Sequence, residues 1–261
     1  MTTALASTVV VLTGLVVAAV TSPGWGEFRA KFLDAHLFWT SLPDIAHAFG
    51  LNVKIFCISE VLILVLALGI AVLRSLPGPV FFPIRVLAIV YTDVFRGIPT
   101  ILVVYMLALG IPALLLSDAQ WYRSATVWSI VALTLVYSAY VAEVYRAGIQ
   151  SVHPSQEAAA RSLGLSRWQA LRHVVLPQAV RRVIPPLLND FIGLQKDTAL
   201  VAIAGPVEAF RQAQIAEAAN FNFTPYLGAS LLFLLLTIPL ARFTDWLIAR
   251  DRRRFLASGG A

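Results

Sequence analysis

Long apolar runs without charged side chains constrain this chain more than any other feature. Residues 97–116, 124–142 and 223–241 contain no Asp, Glu, Lys or Arg, and residues 55–73 contain only Glu60. A helix needs about 20 residues to cross the hydrocarbon core of a bilayer, which is about 30 Å thick. Each run is therefore predicted to be a membrane-spanning helix. The composition agrees, because 13% of the residues are charged, whereas soluble domains carry about a quarter.

The first 50 residues are apolar but less regular. Residues 4–20 carry no charge, and Met1–Thr3 lack the basic residues with which a signal peptide usually begins. We therefore favour an extra N-terminal helix over a cleaved signal peptide. Residues 21–50 mix aromatic and charged side chains, which predicts an interfacial segment on the outer side of the membrane.

The segment at 183–203 is apolar but contains several helix-disturbing residues. Pro185, Pro186 and Gly193 interrupt it, and proline inside a helix removes a backbone hydrogen bond and kinks or breaks the helix. We expect a short, broken or bent helix here. It brings the number of predicted spans to six.

The basic residues indicate which loops face the cytoplasm. With the loop 143–182 placed inside, the inner segments hold fourteen Lys and Arg residues and the outer segments hold six. Inner loops of membrane proteins carry such an excess. The net charge of +6 is thus explained by topology rather than by binding to nucleic acid.

The cytoplasmic loop is predicted to be ordered rather than a flexible connection. Pro154 suits the first turn of a helix over 155–163, and Gly164 suits the left-handed residue that follows a helix. Ser166 with Gln169 fits a capping box. A second helix over 167–176 is predicted to end at Pro177.

Two possible roles for this loop are a structural connector and a DNA-binding element. It could be a connector that covers the inner mouth of the bundle. It could also bind DNA, since Ala160 and Gly164 have the spacing of a helix-turn-helix. The second helix, however, offers apolar residues such as Trp168 where a recognition helix presents polar ones, so DNA binding is disfavoured.

A third role is docking to a partner. Glu157 is followed by Ala158–Ala160, a small surface that could pack closely into a groove. The stretch "EAAARSLGLSRWQALRHVVLPQA" (157–179) resembles the EAA loop of ATP-binding-cassette (ABC) importer permeases. The matching positions are Glu157-Ala158-Ala159, Gly164 and Leu176-Pro177. Three further stretches are similar to motifs of the polar amino acid uptake branch: "YTDVFRGIPTILVVY" (91–105), "YVAEVYRAGIQSV" (140–152) and "NDFIGLQKDTAL" (189–200).

The resemblance implies an all-α, polytopic helix bundle. It implies a permease core of five helices at 51–250 with a cytoplasmic coupling loop at 150–180. The N-terminal helix and interfacial segment at 1–50 and a basic tail at 251–261 lie outside that core. Glu157, Ala158, Ala159 and Gly164 would couple the permease to its ATPase.

The resemblance also implies partners in a bacterial cell membrane. They are a cytoplasmic ABC ATPase dimer, a second permease subunit that is identical or related, an extracytoplasmic substrate-binding protein and membrane lipid. Nucleic acid is not expected. The chain has no G-x-x-x-x-G-K-[ST] loop, so no cofactor is expected in it, and ATP and Mg²⁺ would bind the ATPase.

A secondary, ion-coupled transporter of small polar solutes is the alternative, because charges within the membrane could relay ions. Such transporters often have repeated halves, and no internal repeat is visible in the sequence. H-E-x-x-H and G-x-S-x-G motifs are also missing, which disfavours an intramembrane hydrolase.

Polar residues in or beside the spans are candidates for a substrate path or gate: Glu143, Asn189, Asp190, Lys196, Asp197 and Thr198. A structural role competes at each. Glu143 and Arg146 are spaced for an ion pair within one helix, which we favour over a gate. For Asn189 and Asp190, a hydrogen bond to a neighbouring helix is as plausible as substrate contact. The resemblance places the last three near bundle contacts or an outer gate.

Overall fold

The computed structural model describes residues 2–114 and 118–257, and this part of the chain is helical without strands. Residues 115 and 116 of a predicted span and 258–261 of the predicted tail lie outside the described residues. The α-helices are α1 (Thr2–Val20), α2 (Trp25–Phe32), α3 (Ala35–Ser75), α4 (Phe82–Gly97), α5 (Thr100–Tyr105), α6 (Ile111–Ala113), α7 (Gln120–Arg123), α8 (Ala125–Gln150), α9 (Pro154–Ser162), α10 (Arg167–Ala170), α11 (Leu176–Asp197), α12 (Ala209–Asn220) and α13 (Thr224–Ala257). Two π-helical turns (Met106–Gly110 and Leu171–Val175) and a 3₁₀ helix (Thr198–Ala204) join some of them.

Helix α3 is 41 residues long and forms the central contact of the bundle, mainly with α8 and α13. Its N-terminus is capped by Asp34, whose Oδ1 accepts a hydrogen bond of 3.0 Å from the Leu37 amide. The segment 21–50, predicted to be interfacial, contains α2 and the first turns of α3, and its position relative to the membrane stays a prediction. Residues 35–50 are the first turns of α3, because Asp34 starts the helix and Pro43 lies within it without ending it. Within 21–50, only α2 is a helix separate from α3.

The predicted span at 97–116 is bent. Helices Phe82–Gly97 and Thr100–Ala113 meet at 102°. The corner is at Ile98 and Pro99, whose backbones are extended, since the residue before a proline avoids the helical conformation. The apolar span therefore continues around a corner from α4 instead of crossing the membrane alone.

The broken helix expected at 183–203 is found only at the end of that segment, where α11 passes into a 3₁₀ helix at Thr198. Helix α11 itself runs without a break through Pro185 and Pro186. The irregular turns lie at its ends instead, with the π turn Leu171–Val175 before it and the 3₁₀ helix Thr198–Ala204 after it. Because the two prolines are adjacent, their missing amide hydrogen bonds fall within one turn of the helix. Packing against α8 and α13 supports the helix at that turn.

Three helical segments in the described part of the chain are long and apolar enough to cross a bilayer: Trp25–Ser75 (α2 with α3), Ala125–Gln150 and Thr224–Arg250. The bent pair of helices is a fourth candidate if its two parts count as one span. For the other two predicted spans, Ser7–Val20 is the part of α1 whose side chains the structure describes, and it is apolar, whereas α11 carries Arg181, Arg182 and Asp190.

The main core lies between α3, α8 and α11. Ile55, Ile63, Val104, Leu133 and Leu194 have almost no exposed surface there. Helix α1, in contrast, exposes its valine and leucine side chains on all sides between Val9 and Val20. A helix that is apolar all round and not covered by protein is suited to lipid.

Candidate coupling surface and translocation path

The first loop helix, α9, forms as the sequence predicts. Pro154 occupies its first turn, and His153 caps it by accepting a 3.2 Å hydrogen bond at Nδ1 from the Ser155 amide. Gly164 follows with φ of +89°. The Leu165 amide donates to the Ala160 carbonyl at 3.3 Å and the Gly164 amide to the Arg161 carbonyl at 3.0 Å. This pair of bonds is a Schellman motif, which requires the left-handed conformation that glycine adopts without strain.

The second loop helix starts as predicted but does not end as predicted. Ser166 and Gln169 form the capping box through bonds of 3.2 and 2.8 Å. Helix α10 then passes into the π turn Leu171–Val175 and directly into α11, so the prediction that Pro177 ends the helix was wrong. Pro177 lies in the first turn of α11, where a missing amide hydrogen is tolerated. The loop is thus continuous with a long helix of the bundle.

The outer face of the loop is a shallow, partly apolar surface. Ala158 and Ala159 are exposed, whereas Ala160 packs inward. A concavity of about 510 Å³ opens between the two loop helices, lined by Ala158, Arg161, Ser162, Gly164, Leu165, Ser166 and Gln169. Glu157 lies beside it, with its Oε1 4.0 Å from Arg167 Nε. The four predicted coupling residues are therefore on or next to one surface.

Two apolar residues of the loop are highly exposed, which the sequence did not indicate. Leu163 is 83% exposed and Trp168 is 67% exposed. Both belong to segments with few other exposed apolar side chains, and exposed apolar groups of this size are typical of a protein contact.

The base of the loop is packed tightly against α8 and α11. Val152, Val175 and Ala179 form a small buried cluster. At Gly148 a Cβ atom would lie 2.0 Å from Val183 Cγ2, so only glycine permits this approach of the two helices. Arg182 also donates a hydrogen bond to the Ser151 carbonyl. The base of the loop is thus packed against both helices.

Glu143 belongs to a polar cluster that joins α3, α4 and α8. Its pairing with Arg146 is present as the spacing indicates. In addition, Arg74 Nη1 donates to Glu143 Oε2 at 2.9 Å and to Thr92 Oγ1 at 3.1 Å. Arg74 was missed because it is 69 residues away in the chain. Glu143 therefore lies at the centre of a cluster of ion pairs and hydrogen bonds that connects three helices.

Asn189 and Asp190 point in different directions. Asn189 is exposed, whereas Asp190 is half-buried and its Oδ2 has no hydrogen-bond partner among the described residues. Of the two candidates, Asp190 is therefore the one that lies partly inside the protein.

The three consecutive candidates 196–198 are also separated. Lys196 is exposed, and Asp197 accepts a 2.9 Å hydrogen bond from the Tyr137 hydroxyl. Thr198 is fully buried and donates to the Gln195 carbonyl at 2.7 Å. They do not form a single site.

Thr198 belongs to a buried network that the sequence did not reveal. Asn52 Nδ2 donates to Thr198 Oγ1 at 3.1 Å and to Glu208 Oε2 at 2.8 Å. Glu208 has no exposed surface and also accepts from the amides of Phe210 and Arg211. Burial raises the pKa of the Glu208 carboxyl, and these donated hydrogen bonds lower it.

Comparison with known families identifies the class of protein that this bundle and loop define. A family model described as "Binding-protein-dependent transport system inner membrane component" matches residues 64–253. The chain belongs to this family and is a permease subunit of an ABC importer. Membership implies a multi-pass inner membrane protein that works with an ATPase and a substrate-binding protein in separate chains. The chain is a transporter subunit and not an enzyme, and the secondary transporter alternative is set aside.

Individual relatives are similar over most of their length. The chain is 37% identical over 193 residues to the probable glutamine ABC transporter permease protein GlnM of Bacillus subtilis (strain 168), covering 73% of this chain and 85% of GlnM. It is 32% identical over 209 residues to the arginine transport system permease protein ArtQ of the same organism, covering 80% and 92%. A crystal structure of an amino acid ABC transporter with histidines matches with a TM-score of 0.71 at 29% identity, covering 81% of this chain and 95% of that one.

Proposed function

We propose that this permease imports polar amino acids or closely related solutes. The names of similar permeases support this class of substrate, since they include a probable glutamine and an arginine transport protein. The motifs at 91–105, 140–152 and 189–200 support the same branch. The protein would lie in a bacterial cell membrane with residues 143–182 in the cytoplasm.

The observation that carries the mechanism is the rigid attachment of the loop to the bundle. Helix α9 and α10 are joined by the Schellman turn at Gly164, and α10 continues into α11. We assign the exposed surface around Glu157, Ala158 and Ala159 to contact with a cytoplasmic ATPase dimer. Closure of the ATPases on ATP would then move α8 and α11 as levers, because the hydrogen-bonded turn at Gly164 and the direct continuation into α11 join the loop to the bundle.

Helix α11 extends this lever to the far end of the bundle. It ends beside Thr198, which bonds to Asn52 of α3. A movement at the coupling loop would therefore reach the outer end, where a substrate-binding protein would deliver the solute. A second permease subunit, identical or related, would complete the path.

The path itself is assigned to Asp190 and its surroundings. Asp190 has a buried oxygen that lacks a partner among the described residues, and charged groups inside a membrane protein commonly mark a solute pathway. We assign Asn189 to the face of α11 that would meet the second subunit. Glu143, Asp197 and Thr198 keep supporting roles through their ion pair and hydrogen bonds.

The proposal is tested by reconstitution. The permease would be purified with its ATPase and its substrate-binding protein and placed in phospholipid vesicles. Polar amino acids such as glutamine and arginine should stimulate ATP hydrolysis and enter the vesicles, while a sugar should not. Stimulation by a sugar and not by any polar amino acid would contradict the substrate class.

A further inference from the structure

Helix α2 carries an aromatic stripe that the protein does not bury. Trp25, Phe28 and Phe32 follow one another at helical spacing and stack, with ring centroids 5.6 and 4.9 Å apart. Phe28 is 46% exposed and Phe32 is 37% exposed, and no residue of α2 is buried. Packing against the rest of the chain therefore does not explain the position of the stripe.

The helix is nevertheless held firmly in place. The Phe223 amide donates to the Lys31 carbonyl at 2.7 Å, and Asn222 Nδ2 donates to the Ala30 carbonyl at 2.9 Å. Lys31 Nζ in turn donates to the Phe221 carbonyl at 2.9 Å. These bonds attach α2 to the connection between α12 and α13. They fix the orientation of the helix while leaving its aromatic stripe uncovered.

The surroundings of α2 place it at a bilayer surface. It lies between α1, whose apolar side chains are exposed all round, and the long apolar helix α3. Both neighbours are suited to lipid, so the short connection that contains α2 must turn at the edge of the hydrocarbon core. At α-helical spacing, Arg29 and Lys31 flank the aromatic stripe on its two sides, whereas Glu27 lies away from it.

We propose that the stripe Trp25–Phe28–Phe32 is a lipid anchor seated in the phospholipid headgroup region at the outer end of the bundle. Aromatic rings concentrate at this depth of a bilayer, and Arg and Lys reach toward its phosphates. Phe223 extends the anchor, since its ring stacks on Phe32 at 4.9 Å. The stripe on α2 precedes the matched family region 64–253, whereas Phe223 lies within it. Through the bonds to residues 221–223 the anchor ties the ends of α12 and α13 to the membrane surface.

Fluorescence quenching tests this anchor in the assembled transporter. The complex would be reconstituted in vesicles of phosphatidylethanolamine and phosphatidylglycerol that contain lipids brominated either near the headgroup end or near the end of the acyl chain. The contribution of Trp25 is obtained as the difference between the native protein and Trp25→Phe. Trp168→Phe gives the matched difference for a tryptophan on the coupling loop.

We expect the Trp25 emission to be quenched about twofold more by shallow than by deep bromines, as for a side chain at the interface. We also expect Trp25 to be quenched more strongly than Trp168. Equal quenching of Trp25 by shallow and deep bromines, or quenching by neither, would overturn the proposal. Protection of Trp25 only when the substrate-binding protein is added would also overturn it and would assign the stripe to a protein contact. As a second measurement, Arg29→Gln should weaken the quenching in vesicles with phosphatidylglycerol, and no change would contradict the headgroup contact.

Discussion

Asn52 and Glu208 are 156 residues apart in the chain, yet the Asn52 amide donates a 2.8 Å hydrogen bond to the buried Glu208 carboxylate. The orientation of Asn52 is fixed, because its Oδ1 accepts a 3.0 Å bond from the Ala209 amide. The one pair therefore joins α3 to the start of α12. Replacing the donor by an acceptor should break this junction.

Asn52→Asp is expected to destabilise the folded permease by about 3 kcal/mol or more, because it places a second buried carboxylate against Glu208. Thermal unfolding of the detergent-solubilised complex measures the loss. Asn220→Asp is the matched control, since Asn220 is exposed and bonds only within α12. An equal effect of the two substitutions would contradict the role of the buried pair.

The loss of stability caused by Asn52→Asp should depend on pH. The pKa of Glu208 is raised by burial, so the folded protein binds this proton more tightly than the unfolded chain. The free energy of unfolding then falls as pH rises from the ordinary carboxyl pKa to the raised one. Two facing carboxyls strengthen this trend, and the deficit of Asn52→Asp relative to the native protein should be larger at pH 8 than at pH 5. A constant deficit would contradict this electrostatic account.

Gly148 offers a test of the packing at the base of the loop. Gly148→Ala should cost about 1–3 kcal/mol, a typical penalty for overpacking, because the new Cβ would lie 2.0 Å from Val183 Cγ2. The double variant Gly148→Ala/Val183→Ala removes the obstructing methyl groups and should recover part of the loss. Stability and ATPase co-purification measure both effects. If the double variant loses more free energy of unfolding than the two single variants lose together, this contact is excluded as the cause.

The sequence predicted the helical bundle, the ordered loop and the positive φ of Gly164, because these depend on local patterns. It missed Arg74 beside Glu143 and Asn52 beside Glu208, since such contacts depend on how distant helices pack. It also placed helix ends wrongly at Pro177 and over 35–50, where tertiary packing allows a helix to continue through residues that usually disturb it. Asn189 and Asp190 could not be assigned to different faces without knowing the orientation of α11.

Asp190 can be separated from a purely structural role by its charge. Asp190→Asn keeps the shape of the side chain and should lower amino acid uptake while the complex still assembles. Asp245→Asn is the control, since Asp245 is exposed and pairs with Arg242 at the surface of α13. Uptake kinetics at equal expression measure the effect. Unchanged uptake by the Asp190 variant would remove this residue from the path.

The topology is tested by labelling a single cysteine. In a Cys57→Ala background, a cysteine at Leu165 should react with an impermeant thiol reagent only after the membrane is opened. A cysteine at Phe221 should react from the outer face of intact cells. Labelling of position 165 from outside would overturn the placement of the coupling loop in the cytoplasm.

Coupling through the Gly164 turn is the central claim, and substrate-stimulated ATP hydrolysis by the reconstituted complex tests it most directly. Gly164→Val forces a β-branched residue into a φ of +89°, at a cost of about 1–2 kcal/mol or more. Gly78→Val is matched to it, because Gly78 has a φ of +92° and equally open surroundings but lies outside the loop. Glu157→Lys tests the docking surface without this strain, and it should also weaken ATPase co-purification.

The account predicts that Gly164→Val and Glu157→Lys insert into the membrane but lose stimulated hydrolysis, while Gly78→Val retains it. Full stimulated hydrolysis in both loop variants would contradict the account and reduce the loop to a connector.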